Sequence, residues 1–260
     1  LFAGKWDLDA TVIGHFERGS TVNIFDGKKS LTRTPISPLV NGPEYSFDQK
    51  KPDWLSKLQQ VDLSKNFLPK GDLRSAFLRM LGSPNIASKR PVFRQFDHHV
   101  QTNTVVEPGF DAAVLRLKGT QKGIALTTDC NGRLCYLDPR IGTQIAVVEA
   151  CRNLAMVGAQ VIALTDGLNF GDPESESVQY QLNEAILGMS EAAEAFGIPI
   201  VSGNASLYNE SSGKAIYPTP IIGALGLIED ITRHCTFDFK KSGDLIALIG
   251  GSSCWDTVEG

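Results

Sequence analysis

Between residues 123 and 228 the apolar positions fall into short β-type runs separated by longer runs of helical period. Residues 124–128 predict a strand, about 143–157 a helix, and 161–165 a second strand. A helix over about 177–196, closed by Gly197, precedes strands at 198–202 and 221–228. Alternation of this kind reads as a sheet covered by helices.

The chain before this region has a different texture. Residues 9–14 and 20–25 alternate apolar and polar positions across a polar turn and predict a β-hairpin, followed by Asp26-Gly27. Two strands are marginal alone, so residues 1–46 are expected to be the end of a truncated preceding domain. Residues 47–90 are punctuated by Pro52, Pro69 and Pro84 and read as a linker with short helices. One of these is a helix near 72–81, capped at Gly71 or Asp72 and stopped by Gly82. The ordered pattern occupies 91–229. A last strand-like run at 244–249, leading into Gly250-Gly251, makes 230–260 the expected start of a following domain.

Composition narrows the classes. The chain has 260 residues, enough for more than one domain, with 42% hydrophobic and 21% charged residues. That is globular composition, and no apolar run reaches the length of a membrane span. A net charge of −4 without basic clusters argues against nucleic acid. Five cysteines, Cys130, Cys135, Cys151, Cys235 and Cys254, form no C-x-x-C pair, so a disulfide framework or zinc site is not indicated and a reducing cytoplasm is expected.

The candidate chemistry lies where strands meet polar residues. Asp129, Asp166 and Asn204 each follow a predicted strand, and ligand sites in helix-backed sheets gather beyond strand carboxyl ends. Two carboxylates and an amide oxygen facing one point would suit Mg²⁺ and a phosphate-bearing nucleotide. Taken one at a time, each reads first as a turn residue. Asp166 is followed by Gly167, Asn169 and Gly171, which reads as a flexible loop around Phe170, although Gly171-Asp172-Pro173 is also a turn signature. The small polar run Ser202-Gly203-Asn204-Ala205-Ser206-Leu207-Tyr208-Asn209-Glu210 reads as a loop that can admit a phosphate. Gly203 there permits either positive φ or close backbone approach, and Ser206 either a phosphate contact or a turn cap.

Other devices are missing. There is no G-x-x-x-x-G-K-[ST] and no G-x-G-x-x-G after a strand, so a P-loop is excluded and a dinucleotide fold is disfavoured. His98 and His99 are adjacent; on a strand they would point to opposite faces and could not share a metal. His15 and His234 have no partner signature, and Cys130 and Cys135 read as buried small hydrophobes.

Several runs nevertheless form a collinear set. These are Ser83-Pro84-Asn85-Ile86-Ala87-Ser88-Lys89, Phe93-Arg94-Gln95-Phe96-Asp97-His98, Val100-Gln101-Thr102-Asn103-Thr104-Val105-Val106, Thr127-Thr128-Asp129-Cys130-Asn131, Glu149-Ala150-Cys151-Arg152-Asn153-Leu154, Thr165-Asp166-Gly167-Leu168-Asn169-Phe170-Gly171 and the 202–210 run. Together they resemble phosphoribosylformylglycinamidine synthase across nearly the whole chain, most densely from 83 to 230. Phe110 interrupts a common Pro-Gly-Gly-Asp, and Ala205 and Leu207 replace the common Val and Phe.

The resemblance implies an α+β fold: an aminoimidazole ribonucleotide synthetase-like N-terminal domain, a mixed sheet backed by helices, with parts of flanking α+β domains. It implies an ATP-dependent ligase of purine biosynthesis. In that family ATP activates the amide oxygen of formylglycinamide ribonucleotide, Mg²⁺ neutralises the phosphates, and ammonia from a partner glutaminase displaces phosphate. Residue by residue it implies ATP contacts at Asp166 and Gly203, a Mg²⁺ ligand at Asn204 and a ribonucleotide contact at Ser206, with Asp129 a weaker member. The family's catalytic histidines lie in a first half whose motifs are not found here, so no catalytic residue is expected in this chain. An auxiliary nucleotide-holding module and aminoimidazole ribonucleotide synthetase itself are the competing readings; the 83–89 motif argues against the latter.

Overall fold

The computed structural model describes residues 2–62 and 71–247, and the chain divides into two compact units after Ser46. In the first unit, a short helix α1 (Phe2–Trp6) precedes a hairpin of β1 (Thr21–Asp26) and β2 (Lys29–Pro35), followed by α2 (Ser37–Val40). The hairpin differs from the one expected. Residues 9–14 form no strand, and 21–26 pair antiparallel with 29–35 instead. The reason is the turn: Asp26 pairs with Lys29 across Gly27-Lys28, and Gly27 sits at φ 57°, the left-handed conformation that a two-residue hairpin loop requires. Ile24, Phe25 and Leu31 on these strands remain exposed.

The second unit contains α3 (Asp53–Gln59), α4 (Leu73–Leu81) and α5 (Arg90–Phe93) before its sheet. The α4 helix lies where its sequence predicts, with Asp72 accepting from the backbone N–H groups of Arg74 and Ser75 and with Gly82 at its end. Residues 47–60 do more than connect. Leu55 is fully buried, Trp54 stacks on Tyr136 at 4.5 Å, and the Gln59 side-chain amide donates to the Leu137 carbonyl and the Asp138 carboxylate.

The sheet strands are β3 (Thr104–Val106), β4 (Ala113–Arg116), β5 (Gly123–Asp129), β6 (Gln160–Asn169), β7 (Ile200–Ser206) and β10 (Thr219–Ile228). A small ribbon of β8 (Glu210–Ser211) and β9 (Lys214–Ala215) stands apart. Helices α6 (Gly132–Leu137), α7 (Pro139–Met156) and α8 (Glu176–Phe196) complete the unit. The order is β3-β4-β5-β10-β6-β7, antiparallel throughout except for the parallel β6–β7 pair. This is an α+β fold with a mixed sheet.

Helices α7 and α8 pack against the sheet face that carries Val114, Ala125, Leu164, Ile222 and Ala224, and supply Ala146, Val147, Leu154 and Met189 to the core. Glycines let α8 approach α7, and α7 approach α6, closely. A Cβ on Gly188 would lie 2.2 Å from the Arg140 carbonyl oxygen, and one on Gly142 2.5 Å from the Cys135 nitrogen. Asp138 caps α7 by accepting from Arg140 and Ile141, and Gly197 at φ 65° closes α8.

The opposite sheet face carries no helix of this unit among the described residues, and Leu126, Ile162, Val201 and Ile221 are exposed. No described helix is long and apolar enough to cross a membrane. Residues 244–247 form no strand, and the rest of the 244–249 run, with Pro69 and Cys254, lies outside the described residues.

Candidate functional site

Two of the three predicted strand ends are not ends. Asp166 lies inside β6, which runs on to Asn169, and Gly203, Asn204 and Ser206 lie inside β7. The parallel ladder runs Thr165↔Ser202, Asp166↔Gly203, Gly167↔Asn204, Leu168↔Ala205 and Asn169↔Ser206. Hydrogen bonding between neighbouring strands holds the glycines, asparagines and Asp166 extended against their preference for turns. The connection beyond is tied to the same ladder: Phe170 N–H donates to the Ser206 carbonyl, and Asn209 donates from its backbone and side chain to the Phe170 carbonyl.

The register places Asp129, Ile222, Asp166 and Gly203 in one row across four strands. All four positions face the helices. Asp129 and Asp166 flank β10, two strand spacings or roughly 10 Å apart, with Ile222 between them. They do not converge on one ion, as the three-ligand expectation required; each has its own surroundings.

At Asp166 the partner is Gly203. A Cβ there would fall 2.2 Å from Asp166 Oδ2 and 2.6 Å from its Cγ. Gly203 does not have positive φ, so a tight turn does not explain it; the carboxylate of the neighbouring strand occupies the volume a Cβ would take. Burial pushes the Asp166 carboxyl above its ordinary range, and its side chain makes no hydrogen bond to another described residue. Alternation puts Ser202, Asn204 and Ser206 on the opposite face of β7, where the Thr165 hydroxyl bonds to Ser202. The side chains of Asn204 and Ser206 make no hydrogen bond among the described residues. Because β7 is an edge strand, one ligand can reach both its faces around the edge.

At Asp129 the partners come from β5 itself and from α7. Asn153 donates to Asp129 Oδ1 at 2.8 Å, and the Thr127 hydroxyl donates to Oδ2 at 2.8 Å. Glu149, one helical turn before Asn153, joins this group. Burial raises the Asp129 carboxyl despite these two bonds; burial first, then the Asp129 charge, raises Glu149. Glu149 and Asn153 are residues that strand ends alone do not point to, and their i, i+4 spacing is the available signal. Asp129, Glu149 and Asn153 offer hard oxygen donors suited to Mg²⁺.

A polar cleft of about 580 Å³ opens beside this group. It is lined by Glu149, Cys130, Asn131 and Arg133 together with Asn85 and Lys89 of the 83–89 motif. The Cys130 thiol is held below its ordinary range by the hydrogen bond from Cys135, whose own thiol is pushed up by that bond and by burial.

His98 and His99 differ from expectation. They lie on no strand; His99 has φ −112° and ψ 15°, and this bend brings the rings to the same side, with centroids 4.8 Å apart.

Comparison with known proteins agrees with this architecture. Residues 109–228 match the family described as AIR synthase related protein, N-terminal domain. The chain is 50% identical over 248 residues to the phosphoribosylformylglycinamidine synthase subunit PurL of Alkaliphilus metalliredigens, covering 95% of this chain and 34% of that protein. It is 48% identical to the same subunit of Caldanaerobacter subterraneus over 247 residues, with the same coverage. Among solved structures it is similar to PurLQS from Thermotoga maritima, with TM-score 0.63, 31% identity, and coverage of 83% of this chain and 33% of that one. It is also similar to T. maritima PurL complexed with ATP, with TM-score 0.61 and 31% identity over 81% of this chain and 32% of that one. The chain thus spans about a third of the length of the relatives it matches.

Proposed function

We propose that this chain, homologous to one third of a PurL subunit, forms one wall of an ATP-dependent ligase that makes an amidine from formylglycinamide ribonucleotide. The reading is carried by one observation: Asp166 lies against Gly203 in the register that also sets Asn204 and Ser206 along the same edge strand. Two desolvated carboxyl groups on the helix side, an unpartnered amide oxygen and hard oxygen donors fit a Mg²⁺–nucleotide ligand. When bound, ATP supplies the phosphoryl group that turns an amide oxygen into a leaving group, and Mg²⁺ neutralises its phosphates.

The chain's own residues position that chemistry. Asp166 and the Gly203 backbone would contact ATP, the Asn204 side-chain oxygen would serve as a ligand of Mg²⁺, and the Ser206 hydroxyl would donate to the ribonucleotide. Such catalysis rests on placement and charge neutralisation, not on a covalent nucleophile. Catalytic acid–base groups belong to the rest of the synthetase, ammonia comes from a glutaminase partner, and the chain alone is inactive. A T. maritima PurL complexed with FGAR, a relative similar to this chain at 32% identity, supports the substrate assignment. The bare apolar face of the sheet is where the missing first half of the synthetase would pack, and the assembly works in the cytoplasm.

In the full-length protein, Asn204→Ala and Ser206→Ala are each expected to lower amidine formation more than tenfold, with an unchanged melting temperature. Near-wild-type turnover would overturn the assignment. A second reading has its own support. The Asp129–Glu149–Asn153 group is separate from Asp166–Gly203, which favours an auxiliary nucleotide-holding role; nucleotide binding lost in Asp129→Asn but retained in Asn204→Ala would select it.

A further inference from the structure

Among the described residues, the only group of three His, Cys, Asp or Glu side chains whose ligand atoms all lie close together stands outside the row just described. They are His98, His99 and Glu107, with ligand atoms all within 4.8 Å of one another. His99 Nε2 is 2.9 Å from one Glu107 oxygen, and His98 Nε2 is 3.9 Å from the other. We propose that these three side chains form a site for a zinc-class divalent cation that staples the segment before β3 to the segment after it.

Local geometry supports a metal more specifically than the composition of the cluster does. His98 Nδ1 lies 3.0 Å from the Phe96 carbonyl, an acceptor, so Nδ1 carries the proton and Nε2 presents its lone pair towards Glu107. A backbone carbonyl fixing the far nitrogen is the arrangement that orients metal-bound imidazoles. The turn is held on both sides. Asp97 Oδ1 accepts the His99 N–H at 2.8 Å, Thr102 N–H donates to the His99 carbonyl, and the Thr104 hydroxyl donates to the His98 carbonyl.

Zinc at ~2.0–2.1 Å from its ligands spaces tetrahedral donor atoms roughly 3.3 Å apart. The observed separations bracket that value. His99 and Glu107 are about half exposed, so their ends can close on an ion and leave the fourth position to water. Two imidazoles and one carboxylate favour Zn²⁺, Co²⁺ or Ni²⁺ over Mg²⁺, which takes oxygen ligands.

The test is titration of the full chain with Zn²⁺ by calorimetry, and with Co²⁺ by visible absorption, in an excess of Mg²⁺. One equivalent is expected to bind, with ligand-field bands of a low-coordinate site. His99→Ala and Glu107→Gln should each weaken binding at least tenfold and abolish the zinc-dependent rise in melting temperature. His98→Ala keeps the backbone bonds of the turn and serves as a third variant whose fold is retained. Absence of stoichiometric binding, displacement by Mg²⁺, or wild-type affinity in all three variants would overturn the site and leave a histidine–carboxylate ion pair.

Discussion

Gly203→Ala probes the contact on which the candidate site rests. The added methyl would stand 2.2 Å from Asp166 Oδ2, 2.6 Å from Cγ and 2.7 Å from Oδ1, so the whole carboxylate must move. Asp166 is anchored on a strand paired on both sides, and only its χ angles can yield. Overpacking of this kind costs about 1–3 kcal/mol. A short side-chain end that can rotate towards the edge puts the expected loss at the lower part, about 1–2 kcal/mol. The assay is a double-mutant cycle by urea unfolding with Asp166→Ala, which removes the obstructing group. The double variant should recover most of the loss, giving a coupling of about 1 kcal/mol or more. Additivity within about 0.5 kcal/mol would refute the claim that the carboxylate is what forbids a side chain at 203. ATP titration of the single variant reads the functional side, with weakened binding expected because the carboxylate has been displaced.

Gly188→Ala presses a methyl on the Arg140 carbonyl, a backbone atom that cannot rotate away, and should cost about 3 kcal/mol or more in urea unfolding. Phe170→Ala empties a site only 1% exposed under the β6–β7 connection; a loss of about 3–5 kcal/mol is expected, seen as a lower melting temperature. Asp129, Glu149 and Asp166 have folded carboxyl values raised above their ordinary 3.8, 4.5 and 3.8, so the folded state binds more protons than the unfolded state. Without divalent cation, stability should therefore fall as pH rises from those ordinary values through the raised ones; excess Mg²⁺ should blunt or reverse the slope in melting curves. By the same reasoning Asp129→Asn should melt higher than wild type without Mg²⁺ and gain less when it is added.

Helices are the most legible part of the sequence. Asp72 and Gly82 bound α4, and Gly197 ends α8, because caps act within one turn and need no partner from elsewhere. The hairpin is half legible: alternation marks a strand at 20–25, which forms at 21–26, but points to a partner on the wrong side, since alternation alone does not say which of two neighbouring runs pairs. The Asp26-Gly27 turn carries that information. Around the site, Asp166, Gly203, Asn204 and Ser206 stand out through the runs that contain them, whereas their conformation does not. Composition argues for loops, and the ladder from β10 through β6 to β7 imposes strands.

The sequence by itself therefore determined where α4 and α8 start and stop, the absence of a P-loop, and the residues singled out for the site, all of which depend on near neighbours along the chain. Only the tertiary structure decided that Asp166 fills the space Gly203 leaves, that Ile222 separates Asp129 from Asp166, and that His98 and His99 turn to the same side with Glu107. These depend on strand order, register and a backbone bend, which bring together residues up to about ninety positions apart in the chain, and no local pattern encodes such distances.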